Sequence, residues 1–255
     1  MSLPVALLIA VLGYLIGSIS FARIISWIIQ PDADISIIRE HIPNTQQIFE
    51  SDSISATAVR INMGKKYGCL TGLLDMLKAA LPVLALQVWQ PAGAPYHFIA
   101  ALSITIGHDW PVWYRFKGGR GESTLYGGLL VIDFLGVLAT SVLSFILGLL
   151  ARHILVFRWS GIVLMIPWVL LRTHDINYVL FILSANVLYW IALIPELKQS
   201  YKFYKMGINP RQEDLAAFMG MGRKLGRLFD QFSIADYFVS LIQRRASGNA
   251  DDEKR

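Results

Sequence analysis

Cysteine is almost absent from this chain, since Cys69 is the only one among 255 residues. An internal disulfide is therefore excluded, as is a metal cluster held by several thiolates, and we expect neither a metal nor a cofactor. Charged residues are also scarce, at 16%, whereas hydrophobic residues make up 55%. This composition is typical of a polytopic membrane protein rather than a soluble domain.

Long apolar runs make up most of the chain. Those at 3–29, 69–90 and 96–113 are each long enough to cross a bilayer core of about 30 Å. The run at 123–150 would measure about 42 Å as one helix, and Asp133 interrupts it, so we predict two shorter elements that turn near Asp133 and Gly136. Two more spans, at 159–171 and 176–195, complete the predicted fold class, an all-α integral membrane protein with about seven membrane helices.

The placement of lysine and arginine predicts the orientation. These residues gather in the connections 30–68 and 114–122 and in the tail after Pro195, whereas the connection 91–95 carries no charge. Basic loops of membrane proteins stay on the cytoplasmic side. We therefore expect the N-terminus outside and the C-terminus inside; six membrane elements instead of seven would leave the most basic segment on the wrong side.

A basic glycine loop joins two of the apolar runs, in the segment HDWPVWYRFKGGRGESTLYGG at 108–128. Glycines let the backbone approach a ligand closely, and lysine and arginine supply the charge that a phosphate requires. The N-terminus of the following helix would also favour an anion. The candidate phosphate-binding residues are Lys117, Gly118, Gly119, Arg120, Gly121, Ser123 and Thr124. A plain cytoplasmic turn is the alternative for this loop.

Four segments in order resemble one known family. They are GSISFARI at 17–24, ATAVRINMGKKYG at 56–68, LLDMLKAALPV at 73–83 and GHDWPVWYRFKGGRGEST at 107–124, and they resemble the bacterial acyl-phosphate:glycerol-3-phosphate acyltransferase family (PlsY-type). The resemblance implies a bacterial inner-membrane enzyme that moves a fatty acyl group from acyl phosphate to the 1-hydroxyl of glycerol 3-phosphate, giving lysophosphatidate. It implies those substrates and membrane lipids as partners, and we expect no nucleic acid.

The resemblance also implies further site residues. Thr57 matches a threonine of the family's first motif, and Thr57, Arg60 and His108 are the candidate catalytic residues. Ser51 and Ser55 are added to the candidate substrate-binding residues. A structural histidine at a helix end is the alternative for His108. Asp75 and Lys78 lie three residues apart on one helix, and we expect them to anchor their span; an intramembrane ion pair is the alternative.

Two family motifs are changed in this chain. The first motif, GSGNxGATN with an arginine four residues after the threonine, has lost its glycines and asparagines here, and Arg60 lies one place early. Glu50 and Asp52 place negative charge in that segment. The third motif, His-Arg-x-Asn-Ile, is expected near 194–205, where this chain has no histidine.

These changes in the first and third motifs predict slow transfer to glycerol 3-phosphate. The alternative is a catalytically impaired homologue that binds lipid or phosphate or partners an intact acyltransferase; a transporter is a weaker third option.

The C-terminal part extends beyond the resemblance. We divide the chain into a membrane acyltransferase-like domain at 1–205 and an amphipathic, basic cytoplasmic extension at 206–255. Apolar residues recur near helical spacing between 214 and 245, with arginines and lysines interspersed. This pattern predicts an amphipathic helix that lies on anionic lipid. Packing against the protein's own membrane domain is the alternative.

Overall fold

The computed structural model describes residues 1–42, 47–90, 93–208, 211–219 and 221–231. Within these ranges the chain is mainly helical, which confirms the predicted class. The helices are α1 Leu3–Gly17, α2 Phe21–Ile29, α3 Ala56–Met63, α4 Lys65–Trp89, α5 Tyr96–Asp109, α6 Glu122–Ile132, α7 Phe134–Ala151, α8 Ile154–Arg172, α9 Ile176–Lys205, α10 Gln212–Phe218 and α11 Arg223–Gln231. Two short strands, β1 Ile38–His41 and β2 Ile48–Ser51, form a hairpin that the sequence did not predict.

The long helices have the length and surface of membrane spans. Among the described residues, five segments are long and apolar enough to cross a bilayer, and they include the run Leu3–Ile29, which breaks between α1 and α2. Helices α5 and α6 are shorter. Large apolar side chains point outward, and Trp89 and Leu171 are 83% and 89% exposed. A surface of this kind fits lipid rather than water, so the protein is a multi-pass membrane protein.

Asp133 ends α6 and begins α7, which confirms the predicted break. Its side chain accepts a hydrogen bond from the backbone N–H of Gly136 at 2.8 Å and so caps α7. The same carboxylate accepts hydrogen bonds from the Trp168 indole at 2.8 Å and the Tyr178 hydroxyl at 3.0 Å, and pairs with Arg172 at 2.7 Å. One buried carboxylate therefore joins α6 and α7 to α8 and α9.

Helices α1 and α5 approach each other closely at two glycines. A Cβ on Gly17 would lie 2.0 Å from the carbonyl oxygen of Ile104, and a Cβ on Gly107 would lie 2.1 Å from that of Tyr14. Only glycine allows the two backbones to come this close. The crossing places His108, the residue after Gly107, beside the end of α1.

The hairpin lies against α9 and α10. Phe49 of β2 is buried and packs with the rings of Phe203 and Phe218, at centroid distances of 5.9 and 3.7 Å. On the exposed side, Arg39 pairs with Glu50 at 2.8 Å across the two strands. The hairpin therefore holds the residues that follow β2 against the membrane domain. The Glu50 side chain lies on the opposite, exposed side of the hairpin.

The C-terminal helices correct the prediction of one helix over 214–245. Helix α10 ends at Phe218 and α11 begins at Arg223, and Gly222 between them has a φ of +90° that most residues rarely adopt. Phe229 of α11 is fully buried against the rings of Phe145 and Phe157. The described part of the extension thus packs on the protein's own membrane domain; residues 232–245 lie outside the described ranges.

Candidate active site

One polar pocket lies where the hairpin and two helix N-termini meet. Its cavity volume is about 80 Å³, several times the ~10–15 Å³ that a single water molecule requires. Ser55, Ala56 and Thr57 line it from the first turn of α3, and Gly121 and Ser123 line it from the start of α6. Unpaired N–H groups and the helix dipole make each of these N-termini favourable for an anion.

Two arginines face the pocket, and both are paired with carboxylates. Arg158 of α8 contacts Glu122 at 2.8 Å and Glu196 of α9 at 2.9 Å. Arg120 pairs with Asp52, which lies at the rim, and its Nε lies 3.6 Å from Glu196. Because Arg158 and Glu196 are both largely buried, the pair between them is poorly screened by solvent.

Two buried donors of the pocket have no hydrogen-bond partner. They are the hydroxyl of Ser53 and the Nε of Arg120. An acceptor oxygen of Asp75 also lacks a hydrogen bond, but it is paired with the Lys78 ammonium. Buried polar groups are normally satisfied, because each unpaired one costs free energy. A ligand with several acceptor oxygens would satisfy both donors.

Asp75, Lys78 and His108 form a buried cluster at the pocket's inner side. The Lys78 ammonium contacts Asp75 Oδ1 at 2.8 Å and His108 Nδ1 at 2.8 Å, and donates to the carbonyl oxygens of Gly17 and Ile19 at 3.2 and 2.9 Å. The Asp75–Lys78 ion pair, the alternative to simple anchoring of the span, is therefore present. An ammonium has no lone pair, so His108 accepts through Nδ1 and carries its proton on Nε2. This arrangement favours a fixed, orienting histidine.

The glycines of the basic loop pack more than they bind. Gly119 donates its backbone N–H to the His108 carbonyl at 3.0 Å, and a Cβ on it would lie 2.1 Å from His108 Nε2. The carbonyl of Gly118 accepts a hydrogen bond from Ile54 at 2.9 Å, and the N–H of Lys117 bonds to Tyr114. The backbone N–H groups of Lys117 and Gly119 are therefore engaged within the protein, and ligand binding by these two residues stays a prediction. Their role is to hold the loop on the end of α5.

The structure brings only part of the predicted site together. The predicted residues that line the pocket are Ser51, Ser55, Thr57, His108, Arg120, Gly121 and Ser123. Lys117, Gly118 and Gly119 line an adjacent cleft, which also contains Arg120. Thr124 is fully buried and is not among the lining residues. Arg60, which lies one place early relative to the family's first motif, is on α3 against Gly68 and is not among the lining residues.

Sequence reasoning missed Glu122, Arg158 and Glu196. These residues come from three helices, and no local spacing connects them. The only signal was the presence of charge within or beside apolar runs, which is costly in a membrane and therefore marks function. Among the described residues, no group of three or more His, Cys, Asp or Glu side chains is arranged to hold a metal ion.

Fold and site together define a helical multi-pass membrane protein with a buried arginine-containing pocket. A family model described as glycerol-3-phosphate acyltransferase matches residues 7–200. The glycerol-3-phosphate acyltransferase of Pelagibacter ubique (strain HTCC1062) is 33% identical over 190 residues, which cover 72% of this chain and 88% of the relative. That of Methylorubrum extorquens (strain PA1) is 32% identical over 189 residues, covering 73% and 85%. The chain belongs to the glycerol-3-phosphate acyltransferase family.

Solved structures share the fold. The crystal structure of PlsY (YgiH), an integral membrane glycerol 3-phosphate acyltransferase, in its lysphosphatidic acid form has a TM-score of 0.63 and 21% identity, and the match covers 77% of this chain and 92% of that one. The glycerol 3-phosphate form has a TM-score of 0.62 and 24% identity, with 79% and 92% covered. The helical arrangement around the pocket is thus that of an integral membrane acyltransferase.

Proposed function

We propose that this protein transfers a fatty acyl group from acyl phosphate to the 1-hydroxyl of glycerol 3-phosphate. The observation that carries the proposal is the convergence of two helix N-termini and two arginines on one pocket, because both substrates bear a phosphate. Family membership supports the same reaction. The proposal includes a bacterial inner membrane, an outside N-terminus, an inside C-terminus and a boundary between the two parts of the chain near residue 205.

The reaction needs positioning more than chemical activation. An ester C–O bond forms between the glycerol hydroxyl and the acyl carbon, the mixed-anhydride C–O bond breaks, and inorganic phosphate leaves with the hydroxyl proton. Because phosphate is a good leaving group, most of the rate enhancement comes from holding two anionic substrates in register and stabilising the developing oxyanion. In this proposal Arg120 binds a substrate phosphate, Ser51, Ser55 and Thr57 donate hydroxyl hydrogen bonds, and His108 orients the loop.

The experiment replaces Arg120 by alanine in the purified full chain. We expect Arg120→Ala to weaken binding of inorganic phosphate and to raise the KM for the phosphate-bearing substrates by about ten- to a hundredfold, since a charge-assisted contact contributes roughly 1.5–3 kcal/mol. Arg211→Ala is the matched control, because Arg211 is exposed and pairs with Glu213 outside the pocket. Equal phosphate binding in both variants and in the parent would mean that the basic loop is only a turn.

A further inference from the structure

Arg158 is the most enclosed cation of the pocket, and the sequence motifs do not include it. Its side chain is 9% exposed and is held between Glu122 and Glu196. A buried arginine costs free energy unless it is paired, and its planar fork suits carboxylate and phosphate equally well. The two ion pairs therefore offset the cost of burying the Arg158 charge. They also hold its guanidinium group at the pocket, where it can contact an anionic ligand.

Glu196 lies between the two arginines. One of its oxygens is 2.9 Å from Arg158, within hydrogen-bond distance, and the other is 3.6 Å from Arg120 Nε, beyond it. The side chain of Glu196 is 10% exposed. Its carboxylate therefore bridges the two guanidinium groups but satisfies only one of them fully.

We propose that Arg120 and Arg158 together bind the substrate phosphate, and that Glu196 occupies this position as an internal competitor while the pocket is empty. The inference rests on the proposed function, because it assigns the phosphate of that substrate to these two residues. A phosphate offers more acceptor oxygens and more charge than one carboxylate. It can therefore reach Arg120 Nε and the Ser53 hydroxyl, two buried donors of the pocket that have no hydrogen-bond partner.

The local backbone allows the exchange. Pro195 precedes Glu196 inside α9, and proline removes one backbone hydrogen bond from a helix interior and weakens it there. The charges favour the exchange. Asp75 is already paired with Lys78, and Glu122 and Glu196 balance Arg120 and Arg158 at the pocket, so an added anion is opposed unless one carboxylate withdraws.

The test measures phosphate binding rather than turnover. Inorganic phosphate and glycerol 3-phosphate are titrated by calorimetry into the detergent-solubilised full chain and its Glu196→Gln and Glu213→Gln variants. We expect Glu196→Gln to lower the Kd of both ligands by about ten- to a hundredfold, because a charged competitor is removed. Glu213→Gln, which neutralises a carboxylate paired with Arg227 outside the pocket, should leave the Kd unchanged. An unchanged or raised Kd in Glu196→Gln overturns the proposal.

Two more variants separate competition from damage to the fold. Glu196→Asp keeps the charge but shortens its reach, and should tighten phosphate binding less than Glu196→Gln does; it also serves if the glutamine variant does not fold. Arg158→Lys keeps a charge without the fork and should weaken phosphate binding by about tenfold, whereas wild-type affinity in a folded Arg158→Lys protein contradicts the assignment. Tighter phosphate binding in Glu196→Gln, together with no acyl transfer by the unmodified chain, would refute the proposed reaction while upholding phosphate binding by the two arginines.

Discussion

Gly119 of the basic loop packs directly against one side chain, the imidazole of His108. Because a Cβ on Gly119 would lie 2.1 Å from His108 Nε2, we expect Gly119→Ala to displace the imidazole and to lower the free energy of unfolding by roughly 1–3 kcal/mol, as overpacking does. Chemical unfolding in detergent measures the change. Gly72→Ala is the control, since its added Cβ meets Ala56 Cβ at 3.6 Å and Ser123 Oγ at 4.0 Å, which are ordinary contact distances. Equal stability of the two variants would show that the loop is loosely held.

Lys78 stabilises the inner side of the pocket through its charge. Lys78→Met would leave the buried Asp75 carboxylate without its partner, and breaking a buried ion pair in this way costs about 3–5 kcal/mol. The double variant Lys78→Met with Asp75→Asn removes both charges and should recover part of that loss. Unfolding free energies of the parent, of the single variants Lys78→Met and Asp75→Asn, and of the double variant form a double-mutant cycle. Additive losses would mean that the two residues do not interact.

Individual site residues were predictable only where a motif carried them. Thr57, His108 and Arg120 belong to sequence segments with recognisable spacing, and all three line the pocket. Arg158 and Glu196 are 38 residues apart and meet through the packing of α8 and α9. No local pattern contains that contact. Local sequence also did not show that Glu50 pairs with Arg39 and lies outside the pocket, since that pair forms only across the hairpin.

Whole elements follow from the sequence when length and polarity determine them. The break at Asp133 was predictable because a helix through 123–150 exceeds the bilayer core and a carboxylate interrupts it. The hairpin was not, because its strands have only four residues each and depend on Phe49 packing against Phe203 and Phe218. The interruption between α10 and α11 was not predictable either. The short turn at Gly222 leaves the apolar residues on both sides of it near helical spacing, so the pattern looks like one helix.

The C-terminal extension depends on one buried ring. Phe229→Ala removes a fully buried side chain from between Phe145 and Phe157, and a core Phe→Ala substitution costs about 3–5 kcal/mol. We expect α11 to undock and limited proteolysis to cleave the extension faster. Leu228→Ala, at a position 37% exposed on the same helix, should be cleaved at nearly the parental rate. Identical cleavage of both variants would mean that Phe229 does not hold the extension.

The orientation of the whole molecule is open to labelling with a membrane-impermeant thiol reagent. On a Cys69→Ala background, Lys117→Cys and His174→Cys place single thiols at two exposed positions, in the basic loop and in the α8–α9 connection. The charge distribution predicts that intact cells label His174→Cys and protect Lys117→Cys until the membrane is permeabilised. The reverse pattern would invert the topology and place the pocket on the opposite side.

The proposed reaction moves an acyl group between two phosphate-bearing substrates. A product assay with the purified full chain measures this transfer directly. Acyl phosphate with a labelled acyl chain is supplied with and without glycerol 3-phosphate. We predict labelled lysophosphatidate and inorganic phosphate in equal amounts when glycerol 3-phosphate is present, and a slower rate than that of the Pelagibacter ubique relative because the first and third motifs are changed. Folded protein that binds phosphate but forms no labelled lysophosphatidate would contradict the account and identify a non-catalytic member of the family.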